Sequence, residues 1–207
     1  MESRNSEIRI VLFDIGGVLV ELSGVTTTLA WMGGTLLPQE LWKRWLTSPA
    51  TRAFETGKTT PEIFAEQVIA ELALPVNSNE FLREFTYWPR GLFPGALELV
   101  ARIPKQYTRA TLSNTNALHW PRCMKEMHLA EAFDHHFASH LTGKVKPDEA
   151  AFEFVIRALN CAPKEILFLD DNELNVDAAR RIGIRAFQVN GVAGSEEALI
   201  RNRVLQN

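Results

Sequence analysis

The chain has 207 residues, of which 46% are hydrophobic and 23% are charged. This length and apolar fraction suit one globular domain, or one domain carrying an insert. The net charge of −3 gives no overall positive field, so we expect no nucleic-acid partner. No run of about 18 apolar residues is present to span a membrane. The first residues also lack the apolar stretch of a secretory signal, and we therefore expect a cytoplasmic protein.

Apolar runs rich in branched residues alternate with segments of helical periodicity, which is typical of a parallel sheet flanked by helices. The sequence therefore predicts an α/β fold with a Rossmann-like parallel sheet. The predicted strands fall near residues 8–13, 108–112, 135–139, 166–169 and 185–189. One helical pattern follows Pro147, a residue that fits the first turn of a helix. Another runs from about 173 to 182 and stops at Gly183, which suits a left-handed C-cap.

Residues 23–92 differ from the rest, because they offer helices without intervening strands. One helix is predicted after Pro38. A second begins at Thr59, which has capping-box spacing to Glu62, and a third follows Asn77. This segment is predicted to be all-helical.

The chain is therefore predicted to have two parts. Residues 1–22 and 93–207 form a catalytic core, and residues 23–92 form a small all-helical cap inserted after the first strand. A cap in this position would lie over the carboxyl ends of the strands. Open α/β sheets bind their ligands at that edge.

Polar side chains stand at the ends of three predicted strands. Asp14 follows the first strand, Ser113 and Asn114 follow the second, and Asp170 and Asp171 follow the fourth. Since parallel strands end at the same edge of a sheet, we expect these side chains to lie close together.

Taken singly, several of these residues have a structural explanation beside the chemical one. Asp14 could attack an electrophile, or it could cap the turn at Gly16 and Gly17. Ser113 and Asn114 could hold a phosphoryl oxygen, although an N-cap for the following helix is the commoner role.

Two further features indicate an anion and a metal. Lys146 lies just before a predicted helix, where a cation gains nothing from the helix dipole; it could serve a nearby anion, or it could be solvated. The adjacent Asp170 and Asp171 would repel each other unless a cation, hydrogen bonds or water relieved them. Magnesium prefers such oxygen ligands, so the pair favours a metal site.

Four motifs in order resemble the haloacid dehalogenase superfamily of phosphatases and related hydrolases. They are FDIGGVLV, LSNTN, the lysine of KVKPD, and FLDDNELNVDAARRIGI. A closer likeness, to glucose 1-phosphate phosphatases and the N-terminal domains of epoxide hydrolases, is carried by SNTNALH, ETGKTTPEIFAEQVIAELALP and DDNELN. The resemblance implies a core with a small cap and hydrolysis of a small phosphorylated metabolite.

The resemblance also implies a role for each acidic position. Asp14 would be the nucleophile that forms an aspartyl-phosphate. Magnesium would be held by Asp14, Asp171 and the backbone carbonyl of Gly16, while Asp170 and Asn175 would shape the surroundings of the ion. The charge of the ion would offset repulsion between the nucleophile and the phosphate dianion.

The phosphoryl group would be held by residues from the two middle motifs. Ser113 and Lys146 would bind it, with Asn114 supporting them. Positioning and charge stabilisation supply most of what phosphoryl transfer requires.

The chain departs from the superfamily pattern at Gly16. Most phosphatases of this superfamily have a second aspartate there, which protonates the leaving oxygen and later activates water. Its absence removes help worth about a hundredfold to ten-thousandfold in rate. A good leaving group would need less protonation, or another donor such as His119 could act, although a structural histidine is the commoner case.

Two other functions remain open. A 2-haloacid dehalogenase would use Asp14 against carbon without a metal, but the paired Asp170 and Asp171 argue against it. A catalytically weakened domain could instead bind a phosphorylated ligand or a protein partner through its cap; Gly16, which lacks the acid, and four aromatic residues of the cap leave this function open. Those aromatics, which are more often core than interface, are Trp31, Trp42, Trp45 and Trp88.

Substrate choice would be set by the cap. Arg52, Glu55 and Lys58 lie in a polar segment between two predicted cap helices and could reach sugar hydroxyls. A solvated loop explains these three side chains equally well.

Overall fold

The computed structural model describes residues 8–33 and 36–206. Within these residues a five-stranded parallel sheet has the order β5-β4-β1-β6-β7, and β2 and β3 form a separate antiparallel pair. The strands are β1 (Ile10–Phe13), β2 (Val20–Leu22), β3 (Pro89–Leu92), β4 (Thr108–Ser113), β5 (His135–Ala138), β6 (Ile166–Asp170) and β7 (Arg185–Gln188). All five predicted strands are confirmed, and their ends differ from the prediction by one or two residues.

The helices divide between the cap and the core. Those of the cap are α1 (Gly24–Trp31), α2 (Pro38–Thr47), α3 (Pro49–Glu55), α4 (Pro61–Leu72) and α5 (Ser78–Thr86). Those of the core are α6 (Ala96–Arg102), α7 (His119–Pro121), α8 (Leu129–Ala132), α9 (Ser139–Thr142), α10 (Glu149–Ala158), α11 (Glu173–Arg181) and α12 (Gly191–Arg201). The α/β fold with a helical insertion is thus the predicted one.

Alternate residues of β1 feed the two hydrophobic cores that sandwich the sheet. Val11 and Phe13 pack on one face with residues of α6 and α12. Ile10 and Leu12 pack on the other face with residues of α10 and α11. Because every side chain of β1 is buried, the strand is apolar throughout, as expected for a central parallel strand.

The cap has its own aromatic core. Phe64 is fully buried there, and its ring stacks on Phe54 with a centroid distance of 4.4 Å. Trp45 and Trp88 belong to the same cluster, with ring centroids 4.9 Å apart. These tryptophans are therefore core residues, whereas Trp42 is partly exposed.

The cap prediction needs three corrections. Helix α4 is capped by Thr60, whose hydroxyl accepts a hydrogen bond from Ile63, so the predicted capping role of Thr59 was wrong. Helices α1 and α3 escaped prediction because their apolar patterns are short. The segment is also not purely helical, since β3 falls at its end and pairs with β2 across a long sequence separation.

Within the described ranges, none of the helices combines the length and apolar character that a bilayer crossing requires. Cys123 and Cys161 are both free thiols.

Candidate active site

The predicted polar residues meet at one edge of the sheet. Ser113 and Asp170 are the last residues of β4 and β6, the two neighbours of β1. Asp14 follows β1, and its N–H donates to the carbonyl of Leu169 over 2.8 Å, which extends the ladder by one residue. The parallel register therefore fixes the backbone of Asp14 beside its neighbours.

Lys146 lies between two carboxylates. Its Nζ is 3.0 Å from Asp14 Oδ1 and 2.7 Å from Asp170 Oδ2. Only 3% of Lys146 is exposed and Asp170 is fully buried. Burial lowers the pKa of Lys146, but the two carboxylates outweigh this and raise it above its ordinary value. The lysine is therefore a permanent buried cation.

Asp170 is saturated by donors. Its Oδ1 accepts hydrogen bonds from the N–H of Asn172 and from Nδ2 of Asn175, over 2.8 and 3.0 Å. Its Oδ2 accepts from Lys146 Nζ and, over 3.1 Å, from the same Asn175 amide. Asp170 therefore orients Lys146 and has little capacity left for a metal.

The oxygens that remain open suit a divalent cation. Carboxylate oxygens of Asp14, Asp170 and Asp171 lie within 4.8 Å of one another. Within the described residues, the Asp171 carboxylate accepts no hydrogen bond from another side chain, and the carbonyl of Gly16 accepts none from the backbone. At Gly17, where φ is +71°, any side chain would collide with the Asp171 carboxylate. This oxygen-only donor set fits magnesium.

The carboxyls of this cluster resist ionisation in the absence of a cation. Burial is the main cause that raises the pKa of Asp14 to about 7, with Asp170 and Asp171 adding to it against Lys146. Burial and then Asp170 raise the pKa of Asp171 to about 6. A bound divalent ion would favour both carboxylates, so metal binding and deprotonation support each other.

Asn114 clamps the backbone of Lys146. Its Nδ2 donates to the Lys146 carbonyl and its Oδ1 accepts from the Lys146 N–H, each over 2.8 Å. Ser113, at the end of β4, is buried and lines the same cavity as Asn114 and Lys146. The two middle motifs are thus joined directly, with Asn114 in a supporting position.

Gly16 stands where most phosphatases of the superfamily have an aspartate, and the apolar side chain of Leu22 fills the space beside it. A Cβ on Gly16 would lie 2.7 Å from Cδ1 of Leu22. His119, the suggested alternative donor, is already engaged: Nε2 donates to the Phe85 carbonyl over 2.6 Å, and Nδ1 is 3.1 Å from Nδ2 of Asn116. Burial lowers the pKa of His119 to about 4. The geometry therefore favours the structural role of this histidine.

A cavity of about 560 Å³ opens above these residues. Its floor is formed by the core residues, and its roof by residues of the cap, including Leu41, Trp42, Trp45 and Leu46. Those roof positions escaped sequence reasoning, because helical periodicity alone does not separate cap core from cavity wall.

The polar segment of the cap divides in the structure. Glu55, at the end of α3, lines the cavity. Arg52 forms an ion pair with Asp148 of the core. Lys58 is exposed and does not line the cavity. Only Glu55 of the three therefore faces the site.

The sequence matches the family model of the haloacid dehalogenase-like hydrolases over residues 8–183. The chain belongs to this family of hydrolases.

Two relatives that cover most of the chain are phosphatases. A sesquiterpene phosphatase, astK of Aspergillus oryzae, is 29% identical over 179 residues, covering 84% of this chain and 85% of that protein. The D-ribitol-5-phosphate phosphatase of Bacteroides thetaiotaomicron is 24% identical over 189 residues, covering 87% and 91%.

Solved structures share the fold. The family enzyme bt-2542 of Bacteroides thetaiotaomicron, in complex with magnesium and inorganic phosphate, has a TM-score of 0.70 and 23% identity over 88% of this chain and 94% of that chain. L-2-haloacid dehalogenases also share it, so the fold alone does not select the reaction.

Proposed function

We propose that this protein is a magnesium-dependent phosphatase that hydrolyses a small phosphomonoester through an aspartyl-phosphate intermediate. The observation that carries the proposal is the buried Lys146 between Asp14 and Asp170, beside the open oxygens of Asp171 and the Gly16 carbonyl. Both reported relatives act on phosphorylated compounds, which supports it. The closer likeness to glucose 1-phosphate phosphatases stays a prediction.

The residues divide the work as follows. Asp14 attacks phosphorus, which replaces one difficult displacement by two easier steps. Lys146 and the Ser113 hydroxyl hold the phosphoryl oxygens, and Asn114 keeps the Lys146 backbone in place. Asp14, Asp171 and the Gly16 carbonyl would hold magnesium, which supplies positive charge against the phosphate dianion.

The metal donor set separates this proposal from a dehalogenase. A nucleophile that attacks carbon needs a base to hydrolyse its ester, but it has no use for a set of oxygens open to a cation, and the Asp171 carboxylate lies open beside Asp14 with a raised pKa. Placing such a group next to the nucleophile is costly unless a cation binds there. Phosphoryl transfer is the chemistry that uses that cation.

The test is hydrolysis of p-nitrophenyl phosphate with magnesium, with EDTA, and by variants. Asp14→Asn should abolish hydrolysis, while the control Asp177→Asn, an exposed carboxylate paired with Arg180, should leave it unchanged. EDTA should remove the activity and magnesium should restore it. Hydrolysis that survives Asp14→Asn would refute the proposal, and EDTA-resistant release of chloride from L-2-chloropropionate would favour the dehalogenase.

A further inference from the structure

The cavity has two ends of opposite character. At the core end lie the charged residues of the phosphate site. At the cap end the lining is mostly apolar and includes three tryptophans; its main residues are Leu41, Trp42, Trp45, Leu46, Phe85 and Trp88. A volume of about 560 Å³ is within the range of roughly 300–1,000 Å³ that holds small organic ligands.

The cap end has few groups for hydroxyls. Thr28 already donates to the Gly24 carbonyl over 2.8 Å. Among the described lining residues of the cap, the buried Trp88 Nε1 is an unpartnered donor. The carboxyl of Glu55 also lines the cavity, where the charges of Lys146 and Asp14 at the core end act on it. A polyol or sugar would bury several hydroxyls against carbon here, and each hydroxyl without a partner weakens binding. The lining therefore disfavours a polar leaving group.

We propose that the substrate is a phosphomonoester of an extended hydrocarbon alcohol, with its phosphate on Asp14 and Lys146 and its chain beneath Trp42, Trp45 and Leu46. This inference rests on the proposed phosphatase function and names its substrate class. An aliphatic or prenyl chain and an aromatic ring system share this chemistry. In both cases, affinity comes from apolar surface removed from water.

A series of n-alkyl phosphates tests the inference. Each methylene that enters the cap end should raise kcat/KM about fourfold, the equivalent of ~0.8 kcal/mol, until the cavity is filled. Octyl phosphate should therefore exceed ethyl phosphate and ribitol 5-phosphate by more than a hundredfold. Geranyl phosphate and 1-naphthyl phosphate, both hydrocarbon forms, then show which shape fits better.

Matched variants locate the effect. Leu46 lines the cavity and is 40% exposed, while Ile63, on α4, is 47% exposed and does not line it. Leu46→Ala should lower kcat/KM for octyl phosphate about tenfold and flatten the gain with chain length. Ile63→Ala should leave the series unchanged.

The outcomes separate the two levels of the proposal. Hydrolysis of ethyl phosphate without any gain along the series, or a preference for ribitol 5-phosphate, overturns the substrate class and leaves the phosphatase function standing. If no phosphate in the series is hydrolysed, the phosphatase function itself is overturned.

A second observation concerns Glu55, which enters the site from the cap. The turn that follows α3 packs closely against the core. Gly57 lies so near the carbonyl of His140 that a Cβ at this position would collide with it. Within the described residues, Glu55 takes part in no ion pair or hydrogen bond. The charges that act on it are Lys146, Asp14 and Arg52; burial first, with Asp14, raises its pKa to about 8 against the two cations.

We infer that Glu55 donates the proton that Gly16 cannot supply. As the Asp14 oxygen bonds to phosphorus and the bond to the leaving oxygen breaks, the Glu55 proton passes to that oxygen, giving the alcohol and a Glu55 carboxylate. That carboxylate then takes a proton from the water that attacks the aspartyl-phosphate. An alkyl alcohol is a poor leaving group, so this proton matters for the hydrocarbon substrates proposed above.

Leaving-group dependence tests this role. Glu55→Gln should lower kcat for octyl phosphate about a hundredfold or more, but kcat for p-nitrophenyl phosphate only a few-fold, because nitrophenolate leaves without a proton. Glu55→Asp should recover part of the loss, and Glu66→Gln, at an exposed glutamate of α4, serves as control. Equal losses on the two substrates, or no loss on either, would overturn the assignment.

Discussion

Replacing Lys146 by methionine removes the buried cation but keeps most of the side-chain volume. The ammonium lies 3.0 Å from Asp14 and 2.7 Å from Asp170, and its side chain is 1% exposed. Removing one partner of a buried ion pair costs about 3–5 kcal/mol, because the remaining charge is left uncompensated. Two carboxylates lose their cation at once in this variant.

We expect the cost to fall at the lower end of that range. Asp170 keeps its hydrogen bonds from Asn172 and Asn175. Asp14, whose pKa is already about 7, can take up a proton. At pH 8 without added metal, Lys146→Met should lower the free energy of unfolding by about 3 kcal/mol. In a chain of this size that is a fall in Tm of about 6–12 °C.

Urea denaturation followed by far-UV circular dichroism measures this change. Lys144→Met is the matched control, since Lys144 is two residues away and lies over the Phe154 ring rather than between carboxylates. That control should change the free energy of unfolding by less than about 1 kcal/mol. If Lys146→Met is as stable as the parent, or if Lys144→Met loses as much free energy of unfolding, the buried ion pairs of Lys146 do not stabilise the fold.

Four further predictions concern the same molecule. Asn114→Ala should lower the free energy of unfolding by about 2–4 kcal/mol in urea, because the N–H and carbonyl of Lys146 both lose their partner. Phe64→Ala should cost about 3–5 kcal/mol by the same measurement, since its ring is fully buried in the cap core. The pKa of His119 is about 4 in the folded protein. Between pH 4 and pH 6.5 this imidazole is therefore protonated in the unfolded chain but neutral in the native state. The free energy of unfolding should therefore be full above pH 6.5 and fall by about 3 kcal/mol as the pH is lowered towards 4. His119→Gln should flatten this dependence of the free energy of unfolding on pH. Magnesium should raise Tm in the parent but not in Asp171→Asn, as differential scanning fluorimetry would show.

Each of these has a contrary result. An Asn114→Ala variant of parental stability would mean that the clamp adds nothing. Equal stability of Phe64→Ala would contradict the cap core. A steep loss of stability below pH 6.5 that persists in His119→Gln belongs to another group. A magnesium-dependent Tm that survives Asp171→Asn would place the ion elsewhere.

Sequence reasoning performed best where a local pattern and a topological rule agreed. The apolar runs ending in Asp14, Ser113 and Asp170 predicted three strands and, because parallel strands end at one edge, their meeting point. Lys146 has no such rule behind it. The family resemblance implied that this lysine holds the phosphoryl group, but its position between two carboxylates was not predicted. Taken without the resemblance, the alternative interpretation of Lys146 as a solvated lysine would have been wrong.

Features that depend on distant contacts could not be read from the sequence. Leu22 occupies the space beside Gly16 only because β2 turns back over the first motif. Strand β3 is four residues long, and its partner lies some seventy residues earlier. Glu55 reaches the cavity because α3 lies against the core, which no helical periodicity reveals.

The β2–β3 pair brings together the two points at which the chain leaves and re-enters the core. Val20 is opposite Leu92 and Leu22 is opposite Pro89, so the insertion begins and ends at one place. A segment attached in this way can be exchanged as a cassette, since the graft requires only two neighbouring junctions. Evolution or a protein engineer could thus retune which molecules enter the enzyme, and replace Glu55 along with the cap, while Asp14, Lys146 and Asp171 of the core stay in place.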